Sequence, residues 1–136
     1  GHTPLREWKM TQTWTEAEQR EHRKQWVEAL RSGKYQQATG QLRNPETDGM
    51  CCLGVACDIS GLGRWNETDY STLARNYYGD LGAPGSEMLS WLGLSDGCGD
   101  FAGGALTELN DNGKTFSEIA DIIEAEPEGL IAKVSA

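Results

Sequence analysis

Four cysteines in this chain could do chemistry, and their spacing limits what that chemistry is. Cys51 and Cys52 are adjacent, Cys57 follows five residues later, and Cys98 stands alone. Cys51 and Cys52 fall near an expected helix N-terminus, where a thiolate is favoured. A Cys nucleophile also needs a base within reach and a group that orients the base. His22 is the only native candidate base, and no Asn or Asp near it in sequence looks like an orienting partner. The low-ranked catalytic set is therefore Cys51, Cys52 and His22. The preferred reading is that Cys51, Cys52 and Cys57 are small apolar residues inside the fold.

Metal and phosphate chemistry fit less well. Cys-x-x-Cys pairs are absent, and Cys-Cys followed by Cys57 has no zinc-ligand spacing. The loop Ser95-Asp96-Gly97-Cys98-Gly99-Asp100 invites a calcium reading. However, its acids do not follow the alternating calcium-loop pattern, and the twelfth position from Asp96 is Thr107. Gly61-x-Gly63 and Gly97-x-Gly99 lack the third glycine and the lysine of phosphate loops. No cofactor and no metal is expected.

The stretch that must position everything else is Met50-Cys51-Cys52-Leu53-Gly54-Val55-Ala56-Cys57-Asp58-Ile59. Nine of its ten residues are apolar or Gly, in a chain that is 38% hydrophobic. Such a run goes inside, and a helix to about Ser60, ended by Gly61-Leu62-Gly63, is expected. Before it, Thr15 and Glu18 form a capping-box pattern that opens a helix with Gly33 as its stop. The apolar residues of that helix (Trp26, Val27, Ala29, Leu30) lie in its second half. Its first half, with His22, is expected to project into water. Asn44-Pro45-Glu46-Thr47-Asp48-Gly49 is turn chemistry, which predicts a hairpin of residues 39–43 with 49–51.

Residues 64–85 read as irregular, and residues 86–92 as a short helix buried nearly all round. Residues 94–104 read as a Gly-Asp loop. A helical pair follows, over residues 106–112 and 116–124, with Gly113 between them and a second capping box at Thr115 and Glu118. Pro127 closes it, and one more turn through Leu130, Ile131 and Val134 is expected. The fold class is α+β, predominantly helical. A small antiparallel hairpin packs against a helical core that ends in a helical hairpin.

With 136 residues the chain is long enough for one self-sufficient core. Residues 1–9 lack periodicity, and Gly1-His2 is what tag cleavage commonly leaves. The native chain is expected to start at Met10 and to form one domain over residues 10–136, without His2. Four Cys without a secreted spacing, no signal-peptide pattern and no spanning apolar run predict free thiols and a cytoplasmic setting.

Charge narrows the partners. Residues 1–43 carry 8 basic and 5 acidic side chains, and the rest carry 4 and 16. An acidic body disfavours a phosphate backbone and suits basic protein surfaces. The terminal pair has helix-turn-helix spacing at Leu109, Gly113 and Ile119. Its outward residues would be Lys114, Ser117, Glu118, Asp121 and Glu124, a largely acidic set. A helical hairpin that completes the core is preferred over a DNA reader. Interface hot spots favour Trp and Tyr, so Trp65, Tyr70, Tyr77 and Tyr78 are the candidate binding residues, with core filling as their alternative.

Three blocks carry a resemblance. They are the run from Trp26-Val27-Glu28-Ala29-Leu30 to Tyr35, the run Cys51-Cys52-Leu53-Gly54-Val55-Ala56-Cys57-Asp58, and Leu106-Thr107-Glu108-Leu109-Asn110-Asp111-Asn112-Gly113 through Phe116 to Asp121. In this order they resemble a group of small bacteriophage and prophage proteins, notably of actinobacteria. The resemblance implies a phage accessory protein acting in the host cytoplasm by binding host or phage proteins. Taken together, the expected function is non-enzymatic protein binding through an acidic, aromatic-containing surface. The alternatives are a nucleic-acid-associated regulator or a Cys-dependent enzyme.

Overall fold

The computed structural model describes residues 14–40, 43–44, 47–61 and 86–132. In chain order the elements are α1 (Glu16–Arg31), α2 (Cys52–Ser60), α3 (Ser86–Leu92), β1 (Asp100–Phe101), β2 (Gly104–Ala105), α4 (Leu106–Asp111) and α5 (Phe116–Ala125). This is an α+β domain, mostly helical, with a two-stranded antiparallel hairpin packed against helices.

α1 starts where its sequence dictates. Thr15 accepts from the Glu18 N–H at 3.1 Å, and Glu18 accepts in return from the Thr15 N–H at 2.8 Å. Two of the four unpaired N-terminal donors are thereby satisfied. Ser32 caps the other end, and Gly33 follows at φ +80°, a conformation that costs glycine little. Trp26, Val27 and Leu30 of α1 are buried. Through them α1 packs on α2, and it also lies against α3 and α5.

α2 is the centre of the core. Cys52 through Cys57 are all buried, and Asp58 is the first exposed residue. Burying a side chain such as Leu53 or Val55 contributes about 1.5–3 kcal/mol relative to exposure. Yet α2 begins without a cap of its own, because Cys51 makes no side-chain capping bond. A buried orphan N–H is costly, and Asn110 of α4 supplies the missing acceptor. Its Oδ1 takes the Cys52 N–H at 3.2 Å and the Gln37 amide at 2.8 Å, while its Nδ2 donates to the Ala38 carbonyl at 2.8 Å. Asn110 is fully buried. The Trp26 indole N–H donates to the Cys52 carbonyl at 2.8 Å, so both backbone polar groups of Cys52 are held by buried side chains.

The expected approach of residues 39–43 to 49–51 is present as an antiparallel bridge, with the Asn44 N–H also donating to the Gly49 carbonyl at 2.7 Å, but not as a strand pair among the described residues. Among the described residues of that region there are two isolated bridges, both onto Met50: Arg43 antiparallel and Gln37 parallel. α2 begins two residues after Met50, which leaves little strand to pair. The turn chemistry itself is present. Asp48 has φ +67°, and Arg43 holds its carboxylate with Nε at 3.0 Å and Nη2 at 2.6 Å. The two-stranded hairpin instead pairs Asp100 with Ala105 and Phe101 with Gly104, inside the stretch expected to be loop. Gly104 at φ +144° permits that return.

The last helices sit close to their expected bounds. α5 has its own capping box, with Glu118 N–H to Thr115 at 3.1 Å and Thr115 N–H to Glu118 at 2.9 Å. Phe116, Ile119, Ala120 and Ile123 form its buried stripe. Arg31 of α1 reaches across to Asp121 and, at 3.0 Å, to Glu124. Residues 128–130 form a turn, with the Leu130 N–H donating to the Pro127 carbonyl at 3.1 Å, but Ile131 then makes an antiparallel bridge to Leu94; Val134 of the expected turn lies outside the described residues. Leu130 is fully buried there.

Asn110→Ala should lower the unfolding free energy by about 2–4 kcal/mol, because the Cys52 N–H and the Ala38 carbonyl lose buried partners. Asn112→Ala, at an exposed C-cap, should cost under about 1 kcal/mol. Urea denaturation of the two variants gives the comparison. Equal small losses would mean that Asn110 does not anchor α2.

Candidate functional site

The three core thiols are interior atoms. Cys51 is 5% exposed, and Cys52 and Cys57 are 0% exposed. Burial pushes the Cys51 thiol up to about 11, and the amides of Gly54 and Leu53 at the start of α2 pull it only partly back. Cys52 and Cys57 are driven up by the same burial, with Cys51 beside them adding in the same direction. The helix N-terminus does favour a thiolate, but desolvation outweighs it. The Cys52 thiol donates to the Leu106 carbonyl at 3.7 Å, an acceptor that holds the proton on sulfur. Cys98 is the exposed thiol.

His22 is not free in solvent. Its Nδ1 lies 2.7 Å from the Trp91 carbonyl. A carbonyl only accepts, so Nδ1 carries the proton. The ring stacks on the Trp91 indole at 4.0 Å and 8° and meets Trp14 edge-on at 6.1 Å. The first half of α1 projects into water at Glu16, Ala17, Glu18, Arg20 and Glu21, as expected, but the face of His22 and its neighbours does not. Gln19 Nε2 donates to the Ser90 carbonyl at 2.7 Å, and Arg23 Nη1 donates to the Leu92 carbonyl at 2.6 Å. Residues 19, 22 and 23 lie on one face of α1. Together they satisfy three consecutive carbonyls at the end of α3, where a helix leaves acceptors unpaired and favours positive charge. Gly93, at φ +76°, permits the approach: a Cβ there would sit 2.9 Å from Arg23 Nη1 and from Gln19 Oε1. No pattern of apolar spacing marks such a face, and the sequence reading missed it.

The proposed catalytic partners are therefore dispersed. The thiols bury against α4 and Trp26, while His22 is held at the α1–α3 contact. Two clefts among the described residues are lined by none of Cys51, Cys52, Cys57 and His22. One cleft lies between α1 and α5, with Val27 and Ile123 as its apolar part and Arg20, Arg23 and Lys24 on one wall. Glu124 and Glu126 stand opposite, and Glu126 approaches Arg23 Nη2 at 3.3 Å and Arg20 Nε at 3.9 Å. The second cleft is lined by Tyr35, Arg43, Asp48, Met50 and Asp58, among others. There the Tyr35 hydroxyl donates to Asp58 at 2.8 Å, and burial together with that bond pushes it up to about 12.

The acidic loop is closed on itself. Asp96 accepts from the amides of Cys98 at 3.0 Å and Asp100 at 3.1 Å, which hold its carboxyl below the usual range. Among the described residues, no group of three or more His, Cys, Asp or Glu could hold a metal ion. On α5, Ser117, Glu118, Asp121 and Glu124 are exposed, as is Lys114 before it. That face would present carboxylates to a phosphate backbone. Trp65, Tyr70, Tyr77 and Tyr78 lie outside the described residues. Among the described residues no helix is long and apolar enough to cross a membrane.

Fold and site together define a small, mainly helical α+β domain with interior thiols and helix ends capped by neighbouring helices. The chain matches the model of the domain of unknown function DUF8296 over residues 18–127 and belongs to that family. No curated protein and no solved structure matches it significantly.

In the native protein at neutral pH a thiol reagent should label Cys98 alone, with Cys51, Cys52 and Cys57 reacting only after denaturation. A second thiol that labels at the rate of Cys98 would contradict the burial. Arg23→Met should cost about 2–4 kcal/mol, since it strips the Leu92 carbonyl of its partner. Arg20→Met, at a side chain 69% exposed, should cost under about 1 kcal/mol. Thermal melts of both variants compare them, and equal costs would remove Arg23 from the cap.

Proposed function

We propose that this protein is a non-enzymatic accessory protein that binds another protein through an acidic surface, in the manner of small phage and prophage proteins. One observation carries the reading. Among the described residues Cys51, Cys52 and Cys57 are buried and His22 is held at a helix contact, whereas the outer face of the last two helices exposes carboxylates. Glu108, Asp111, Glu118, Asp121 and Glu124 are all exposed. A surface of that sign attracts a basic partner at long range and repels nucleic acid. Asp121 and Glu124 are also oriented by Arg31, so part of the face is ordered before any partner arrives. The aromatic residues Trp65, Tyr70, Tyr77 and Tyr78 are proposed as the anchors of contact, because rigid aromatic side chains dominate interface energies. The setting that goes with this reading is the cytoplasm of an actinobacterial host.

The test is affinity capture from such a host, with and without infecting phage. Wild type should retain a discrete protein, and retention should fall as salt rises through the range that screens surface charge. Trp65→Ala/Tyr77→Ala should reduce capture at least about tenfold, the scale of one hot-spot loss. Capture that ignores both salt and the double variant would overturn the acidic, aromatic interface. Capture of DNA at low salt in place of protein would favour the regulator.

A further inference from the structure

We propose that the cleft between α1 and α5 is a binding site for a small oxyanion, a carboxylate or a phosphate, gripped by Arg23 and gated by Glu126. Arg23 is 6% exposed and lines the cleft. Its guanidinium uses Nη1 on the Leu92 carbonyl, and that bond fixes the plane of the group. The opposite edge, Nε with Nη2, is the fork that takes two oxygens of one anion side by side. Here the fork is half used. Nη2 holds Glu126 Oε2 at a long 3.3 Å, and the buried Nε has no hydrogen-bond partner. An unpaired buried donor on an arginine is costly and marks a place where an acceptor belongs.

The surroundings suit an anion. Arg20 and Lys24 flank Arg23 on the same helix, and all three line a cleft of about 120 Å³. That space admits a group of a few heavy atoms. Glu124 and Glu126 leave the cleft one positive charge in excess. Glu126 caps α5 in the left-handed region at φ +48°, unusual for a residue with a side chain. Its carboxylate is partly exposed and reaches Arg20 and Arg23 only at 3.9 and 3.3 Å. It thus occupies part of the anion position loosely and can be displaced. An incoming oxyanion takes both Nε and Nη2, and Glu126 swings to solvent. Val27 and Ile123 give the non-oxygen part of the ligand an apolar surface. This site shares Glu124 with the proposed protein-binding face but does not rest on that reading, and either can fail without the other.

The experiment is a titration of the full chain with inorganic phosphate in one arm and succinate in the other, at constant ionic strength, followed by amide NMR. Saturable shifts are expected at Arg20, Arg23, Lys24 and Glu126, and the arm that saturates at lower concentration names the source. Glu126→Gln should tighten binding about three- to fivefold by removing the competing charge. Arg20→Ala should weaken it about threefold, and Arg23→Lys, which keeps a donor for the α3 cap but loses the fork, about tenfold. Should Arg23→Lys unfold, Glu126→Gln and Arg20→Ala still decide the matter. Shifts that do not saturate in either arm, or affinities that Glu126→Gln and Arg20→Ala leave unchanged, overturn the site.

Discussion

One buried carboxamide decides where the centre of this fold can sit. α2 is too apolar to remain outside, but it starts without a cap, and a buried helix start with bare N–H groups is not tolerated. Asn110 resolves the conflict from another helix. It accepts from Cys52 and Gln37 and donates to Ala38, so the start of α2, the chain leading to it and α4 meet at one side chain. The Trp26 indole closes the other side of Cys52. Apolar burial drives the packing, and these two side chains fix its register.

The same solution recurs at α3. Its last carbonyls are satisfied by Gln19, His22 and Arg23 of α1, a polar patch that is interior because it meets a helix end. α1 is therefore two-faced along its length. Its second half supplies Trp26, Val27 and Leu30 to the core, and its first half supplies caps. This arrangement bears directly on chemistry. The imidazole and the most buried guanidinium are held by structural hydrogen bonds, and the thiols are sealed by desolvation. What the chain offers to solvent among the described residues is mainly its acids, together with the cation-lined cleft beside Glu126.

Much of this was legible in the residues, and the rest was not for definite reasons. Capping boxes at Thr15 and Thr115 involve residues three apart, so local sequence contains the whole interaction, and both helices start as expected. Residues 50–57 are interior because composition alone forces them there. The pairing expected of residues 39–43 with 49–51 appears among the described residues only as the Arg43–Met50 bridge, because its second arm turns at once into α2. The pair at Asp100–Phe101 and Gly104–Ala105 is too short for any alternation to register. Asn110 and the Gln19, His22 and Arg23 face escaped for a different reason. Their backbone partners are 58 to 72 residues away, and sequence periodicity carries no trace of a carbonyl. That face of α1 looked solvated for the same reason. The family match spans residues 18–127 and thus includes both caps.

The most direct test of the central claim is native-state amide hydrogen exchange along α2. If the thiol-bearing segment is interior scaffold clamped by Asn110 and Trp26, the amides of Val55, Ala56 and Cys57 exchange only when the whole domain unfolds. Their exchange free energies then equal the unfolding free energy from denaturation. Exchange of these three through a local opening that lies clearly below the global value would contradict it, because α2 would then be a segment that opens to solvent while the rest of the fold stays intact.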